Sequence, residues 1–266
     1  MISVQSFFDL DDFPDPGLFQ ATSPVWQPLN DLKTYMENYS YPKYEQSFFK
    51  DGVPLKEHII IHKGQMLCSD DCEIEFGNTT KKGLQVKQAG TLLEGASVIM
   101  AGAVILGKQL AIGKGVLIET GAMVKSPAIL GDYTEVRQGA YLRGYCLAGK
   151  RCVLGHTTEI KHSIFLNDAK AGHFAYVGDS IVGNDANLGA GTKFANLKFL
   201  PGNIRVFYEG KWLDTGRRKL GAVLGDGCQT GCNSVTSPGT FMAKAAILMP
   251  NTTAKGGLHQ EKTIIR

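Results

Sequence analysis

From Leu106 onward an apolar side chain returns at every sixth position: Leu106, Ile112, Ile118, Val124, Leu130, Val136, Leu142, Ala148, Leu154, Ile160 and Leu166. At 43% apolar content, a fixed frame does this by chance about once in ten thousand trials. Glycine follows the beat at 107, 113, 131, 149 and 155, and four residues after it the side chain is small: Val116, Ala122, Ala128, Thr134, Ala140, Cys146, Cys152, Thr158. The beat resumes at Val182, Leu188 and Leu224.

Six fits neither the 3.6-residue period of an α-helix nor the alternation of a strand. It fits a solenoid whose coil has three flat sides, with corners turned at glycine or small polar residues. Residues eighteen apart then stack one strand spacing apart, about 4.8 Å. The expected fold is all-β, a parallel β-helix over residues 57–250, with an excursion at 197–218 and a C-terminal tail at 251–266. Residues 1–56 have no such beat and form an N-terminal cap region, α or irregular. In it "PLNDLKTYMENY" reads as a short helix capped by Asn30. In the excursion "NIRVFYEGKWLDTGRRK" reads as a hairpin turning at Glu209-Gly210.

The beat slips by one residue within "KHSIFLNDAKAGHFAYVGDS", Lys161 to Ser180, where His173 and Tyr176 also stand. Just after the apolar beat come Lys125, Arg143 and Lys161, spaced eighteen apart. Stacking puts them in one column. Like charges so close repel by about 0.2–1 kcal/mol per exposed pair, so the column is either a cradle for an anion such as phosphate or a solvated basic ladder. His173 is a candidate general base, with Glu159 and Asn187 near it along the chain. His156 and His162, six apart, fall on different sides of a coil and Cys152 joins neither, so no metal site is expected.

The net charge of +3 in 266 residues gives no reason to expect nucleic acid. No apolar run is long enough to suggest a membrane span. The acidic, Pro-containing start "MISVQSFFDLDDFPDPG" does not read as a secretion signal. Six cysteines (68, 72, 146, 152, 228 and 232) fit neither a disulfide nor a zinc framework, so a reducing cytoplasmic setting is expected. Cys146, Cys152 and Cys228 take the small inward position and read as packing residues. The 32 glycines against 10 prolines indicate many tight corners.

The six-residue repeat resembles the hexapeptide-repeat acyltransferases, whose fold is a left-handed parallel β-helix; the left hand is implied by that resemblance alone. More specifically, "TEIKHSIFLNDAKAGHFAYVGDSIVGNDANLGAGTKFAN" resembles the acetyltransferase domain of the bifunctional enzymes that make UDP-N-acetylglucosamine from glucosamine-1-phosphate. The resemblance implies an acetyl-CoA-dependent N-acetyltransferase acting on an amino-sugar 1-phosphate, with glucosamine-1-phosphate as the expected substrate. His173 falls on the general base, Glu159 on a carboxylate close to it, and Asn196 on a residue near the sugar and acetyl groups. Arg143 and Lys161 fall on phosphate contacts, Tyr176 and Asn187 on sugar contacts. Lys219 falls on a lysine that reaches the phosphate from a neighbouring subunit. Ala190, in the "GAG" loop, matches a backbone contact to acetyl-CoA. Two positions depart from those relatives: Leu197 replaces a tyrosine, and Cys232 a serine that contacts the cofactor. "DTGRRKLGAVLGDG" looks more like the C-terminal repeats of a broader group of sugar-1-phosphate nucleotidyltransferases. The family also implies a homotrimer with active sites between subunits, which would bring Lys161 and His173 to one ligand.

The residues before the repeat lack the Gly-rich start of a uridylyltransferase domain, so no nucleotidyl transfer is expected of this chain, and a separate nucleotidyltransferase is one candidate partner. Two other functions fit the same pattern. One is a non-catalytic trimeric scaffold that binds a sugar phosphate or nucleotide sugar, against which the His, Tyr and Asn set argues. The other is a nucleotide-sugar O-acyltransferase with the same base.

Overall fold

The structure, a computed structural model, describes residues 1–45, 49 and 51–266; positions 46–48 and 50 of the N-terminal region lie outside them. Three sheets wrap one core: an eleven-stranded sheet (face 1) and two eight-stranded sheets (faces 2 and 3). The chain visits the faces in turn, and from Ser97–Ile99 onward each strand of these three faces pairs in parallel with its counterpart one coil away. The chain is therefore a β-solenoid.

The six-residue frame is the inward column of all three faces. Ile118, Val136 and Leu154 stack on face 1, Val124, Leu142 and Ile160 on face 2, and Ile112, Leu130 and Ala148 on face 3. Both ends of the frame are displaced by one residue. Ile105, not Leu106, stacks on Val124, and Phe165, not Leu166, follows Ala148. The small residues of the repeat fill the inner corners, where Ala122, Ala128, Thr134, Cys152 and Thr158 are all buried. Their polar atoms bond across coils: Thr134 Oγ1 donates to the Gly149 carbonyl at 2.8 Å and Cys152 Sγ to that of Leu166 at 3.0 Å. Burial pushes the Cys146, Cys152 and Cys228 thiols up to about 12, which suits packing and not reactivity.

The slip has a local cause. Gly144 and Tyr145 turn the corner between Arg143 and Cys146, but His162 alone turns it between Lys161 and Ser163. Cys146 accordingly pairs with Ser163, one residue short of the eighteen that separate Ala128 from Cys146. His162 manages this with φ +48°, a left-handed value that non-glycine residues seldom adopt.

Several boundaries differ from the sequence reading. The parallel coils begin at Ser97; residues 57–96 lack the beat and fold otherwise. Ile59–His62 and Gln65–Cys68 form an antiparallel hairpin on the edge of Ser97–Ile99, and Cys72–Glu75, Gln85–Gln88 and Thr91–Leu92 form a separate antiparallel sheet. Residues 251–266 are not a tail. Thr253–Ala254, Gly257–His259 and Ile264–Ile265 complete a last coil, with Ala254 buried. The excursion does contain the expected hairpin, Arg205–Tyr208 against Lys211–Asp214, and Glu209 (φ +49°) and Gly210 (φ +77°) turn it.

The N-terminal region mostly covers a side of the solenoid, not its end. Ile2, Phe7, Phe13, Trp26, Leu29 and Leu32 pack on the outward residues of face 3, Ile129, Leu147, Ile164, Ile181, Val223 and Phe241. That is why face 3 strands are apolar on both sides, burying about 1.5–3 kcal/mol per large side chain. Among the described residues of this region, Tyr44, Phe49 and Leu55 join the inner core at the first coil. The short helix exists as α1 (Gln27–Glu37), but Asn30 is not its cap. Pro28 in the first turn starts the helix earlier, at Gln27 with Trp26 as the N-cap, and the Asn30 side chain meets Arg217.

Candidate active site

Two groups of side chains line opposite edges of face 2. At the corner entering it, His156 and His173 are register partners on face 1 strands Val153–His156 and Lys170–His173. The corner hydrogen bonds continue the column: Gly191 N–H donates to the His173 carbonyl at 3.0 Å, Asn233 N–H to that of Ala190 at 2.8 Å and Asn251 N–H to that of Cys232 at 2.9 Å. His173, Ala190 and Cys232 therefore stand one above another on successive coils. The two imidazoles stack, with centroids 5.5 Å apart and planes 21° apart. Phe174 follows at φ +52°, is 61% exposed and lies 6.3 Å from the His173 ring.

At the far edge, Lys125 and Arg143 are register partners, and the Tyr141–Glu159 and Leu142–Ile160 pairs put Lys161 next in line. The basic column exists, and carboxylates are threaded through it. Arg143 Nη1 lies 2.6 Å from Glu159 Oε1, which raises the guanidinium pKa, chiefly through that hydrogen bond. Lys161 Nζ lies 3.1 Å from Asp179 Oδ2, Arg217 Nη2 lies 3.0 Å from Asp179 Oδ1, and Asn196 Nδ2 donates to Asp179 Oδ2 at 2.7 Å. Asp179 is only 4% exposed, so its charge requires these partners. Burial lowers the Arg217 pKa against the pull of Asp179. Arg217 and His162 also donate to the Leu29 carbonyl, at 2.8 and 2.9 Å, tying α1 to this edge.

Tyr176 lies between the two edges, one coil from Glu159. A hydrogen bond links its hydroxyl with Asn196, and burial raises its pKa, with Glu159 and Asp179 adding to the shift. Gly178 makes room for both: a Cβ there would come within 2.7 Å of Asn196 Nδ2 and of Tyr176 Oη.

One chain thus brings together Arg143, Glu159, Lys161, Tyr176 and Asn196, and separately His173, Ala190 and Cys232. Three expectations change. Glu159 bonds Arg143 and not His173; no side chain among the described residues hydrogen-bonds the His173 ring. Asn196 belongs to the cationic edge, not to the histidine. Asn187, exposed on face 1 between Lys170 and Gln229, lies on a different face from Tyr176. From His173 to Gly178, the register partner of Lys161, is five residues, at most about 18 Å of chain. Lys219 lies beside the site of its own chain, where its backbone bridges Leu197 and its carbonyl takes a bond from Arg217 Nε at 2.9 Å. Sequence reasoning missed Asp179, Arg217 and His156 as site residues. Asp179 stood in the quoted signature and Arg217 in "DTGRRK", but only the fold shows that they meet.

Among the described residues no group of three or more His, Cys, Asp or Glu could hold a metal ion, with His156 and His162 at different corners. No helix among them is long and apolar enough to cross a membrane.

No protein-family model matches the chain. It is 36% identical over 151 residues to a bifunctional sugar-1-phosphate nucleotidylyltransferase/acetyltransferase of Sulfurisphaera tokodaii, covering 50% of this chain and 38% of that one. It is 37% identical over 100 residues to the bifunctional protein GlmU of Methanocaldococcus jannaschii (38% of this chain, 24% of that one), and 32% identical over 132 residues to GlmU of Bacillus mycoides (47% and 25%). The chain spans well under half the length of these relatives. Among solved structures, a Francisella novicida UDP-N-acetylglucosamine acyltransferase matches at 13% identity and a TM-score of 0.33, over 59% of this chain and 58% of that one. The chain is a hexapeptide-repeat β-solenoid whose sequence homologues are the bifunctional sugar-1-phosphate nucleotidylyltransferase/acetyltransferases and GlmU proteins.

Proposed function

We propose that the chain is an acetyl-CoA-dependent N-acetyltransferase acting on an amino-sugar 1-phosphate, with glucosamine-1-phosphate as the first candidate, in nucleotide-sugar biosynthesis. The observation that carries the reading is the two-edged face: an exposed imidazole in line with Ala190 and Cys232 at one edge, and Arg143, Lys161, Tyr176 and Asn196 at the other. The Sulfurisphaera tokodaii relative, named in part as an acetyltransferase, supports the same reaction class.

In this reading the phosphate docks on the cationic edge. It takes Arg143 from Glu159, since that pair is exposed on both sides (43% and 38%) and such pairs contribute only about 0–1 kcal/mol. Lys161, held by buried Asp179, supplies a second fixed charge, and Tyr176 and Asn196 offer hydrogen bonds to the sugar. The neutral sugar amine attacks the thioester carbonyl with its nitrogen lone pair, and the His173 imidazole takes the proton that the nitrogen sheds as the C–N bond forms. The tetrahedral intermediate then collapses to the amide, the C–S bond breaks with its electron pair on sulfur, and the thiolate of coenzyme A takes up the proton from the imidazolium and leaves as the thiol. Acetyl-CoA supplies the acyl group. The Ala190 carbonyl already accepts the Asn233 N–H, so a backbone contact to that ligand falls to the N–H of Ala190, a donor suited to an oxyanion.

The separation of the edges within one chain favours a homotrimer in which the cationic edge of one subunit faces the histidine edge of the next. Thiol release from acetyl-CoA, assayed with glucosamine-1-phosphate and with a UDP-sugar, tests the reading. Turnover with the sugar phosphate supports it, turnover with the UDP-sugar alone replaces it with O-acylation, and none with either leaves a binding scaffold.

A further inference from the structure

We infer that Arg217 is a positioning residue for the sugar phosphate: it occupies one oxygen of Asp179 and so leaves the cationic edge with the surplus positive charge that a phosphate needs. The inference rests on the proposed docking of the phosphate at that edge.

Three side chains divide the Asp179 carboxylate between them. Lys161 Nζ at 3.1 Å and Asn196 Nδ2 at 2.7 Å take Oδ2, and Arg217 Nη2 at 3.0 Å takes Oδ1. The charges along the edge then decide what it can bind. Glu159 offsets Arg143, and Asp179 offsets Lys161. A phosphate meeting those four residues alone would find two carboxylates and no net attraction. With Arg217, three cations (Arg143, Lys161, Arg217) stand against two carboxylates (Glu159, Asp179), and the sum is +1. Lys125, Arg218 and Lys219 are also cationic, but they are exposed, where water and salt screen them. The Arg217 side chain is 14% exposed and that of Asp179 5%, so the field of this pair is screened far less.

Arg217 is fixed from behind the edge. Nη1 donates to the Leu29 carbonyl at 2.8 Å and to Asn30 Oδ1 at 3.2 Å, both on α1, and Nε donates to the Lys219 carbonyl at 2.9 Å. The backbone is pinned as well: the Ile204 N–H donates to the Arg217 carbonyl at 2.8 Å, and the Arg217 N–H to Thr215 Oγ1 at 3.2 Å. A planar guanidinium can serve four acceptors set around it in this way, and the single ammonium of a lysine cannot. Those donors are spent on protein, so Arg217 acts on substrate through Asp179. Without it, Asp179 would keep Lys161 as its one cationic partner in the cluster and hold it away from the phosphate. The excursion and the N-terminal region thereby gain a part in the site, since one supplies Arg217 and the other two of its acceptors.

Calorimetric binding of glucosamine-1-phosphate to the whole protein, with steady-state kinetics beside it, tests this. Arg217→Gln should weaken binding and raise the KM for the sugar phosphate at least tenfold, the scale of a charged contact, with a smaller loss in kcat. Arg217→Lys, which keeps the charge but not the fork, should lose less than Arg217→Gln. The decisive variant joins Asp179→Asn to Arg217→Gln. It returns the charge sum to that of wild type, because one anion and one cation go together, and it frees Lys161. It should bind more tightly than Arg217→Gln and within tenfold of wild type. A purely structural part for Arg217 predicts the reverse, since the double variant removes two buried partners where the single removes one. The double variant leaves no buried carboxylate short of a partner, so it decides the matter even where Arg217→Gln fails to fold. Binding by the double variant more than tenfold weaker than wild type, or by Arg217→Gln within threefold of wild type, overturns the inference and leaves the acetyl-transfer reading in place. A wild-type protein that does not bind glucosamine-1-phosphate overturns both.

Discussion

Arg143 closes on Glu159 across adjacent coils at 2.6 Å, and by doing so holds the carboxylate that the family resemblance sets close to His173. The pair is exposed, so it adds little to stability, yet it keeps the guanidinium on the face where a phosphate would dock. Arg143→Ala should raise the KM for the sugar phosphate about tenfold to a hundredfold, the range of a charged hydrogen bond, with kcat within threefold and Tm nearly unchanged. Steady-state kinetics alongside thermal unfolding check this. A KM unmoved by the change would remove Arg143 from the substrate site.

The same pair separates two residues that the signature joins. His173→Ala should lower kcat at least 100-fold if the imidazole takes the amine proton. Glu159→Gln should lower it less than tenfold, because no bond from Glu159 orients the ring. Comparable losses from both would mean that substrate transfers Glu159 from Arg143 to His173, and kcat for the two variants measured side by side decides it.

Two glycines on successive strands of the same coil give a sharper contrast. Neither Gly172 nor Gly178 needs a positive φ, but a Cβ on Gly178 meets Asn196 Nδ2 and Tyr176 Oη at 2.7 Å, whereas one on Gly172 meets nothing within 4 Å. Gly178→Ala should displace Tyr176 and Asn196 and cost about 1–3 kcal/mol, as overpacking does, with KM for the sugar raised at least fivefold. Gly172→Ala, next to His173, should leave both within twofold. Equal effects would mean that the Tyr176–Asn196 contact does not shape the site.

These expectations show where the sequence was informative. The solenoid was legible because its inward column needs only an apolar side chain every sixth residue, and Ile118, Val136 and Leu154 stack as that frame requires. The basic column followed from the same arithmetic. The two ends of the frame failed at Leu106 and Leu166, because a corner can gain or lose one residue without losing its apolar neighbours, as at His162. Residues 57–96 and the side packing of the N-terminal region obey no repeat, so nothing periodic announced them. Asp179, with Lys161, Asn196 and Arg217 around it, is a meeting of residues from two coils and the excursion. No spacing predicts such a meeting.

The docking of the N-terminal region carries a pH dependence. His162 is partly buried at the shortened corner, and its Nε2 lies 2.9 Å from the Leu29 carbonyl. Burial lowers its pKa below 6.5, with the nearby Arg217 charge acting the same way and the Leu29 hydrogen bond opposing. A folded-state pKa below the unfolded one means that the unfolded chain binds the proton more readily. The contribution of His162 is therefore fully present above about pH 6.5 and lost as pH falls through the lower folded value. Asp15 and Asp226, partly buried, have pKa values raised by that burial and work the other way, adding stability at low pH that is lost as pH rises. Comparing wild type with His162→Gln, which keeps a donor near Leu29 and does not titrate, cancels those two. Calorimetric Tm should favour wild type most at pH 7.5, and the difference should shrink steadily from pH 6.5 to pH 5, the range below the ordinary histidine value. A difference that stays constant or grows on acidification would mean that His162 enters the fold already charged.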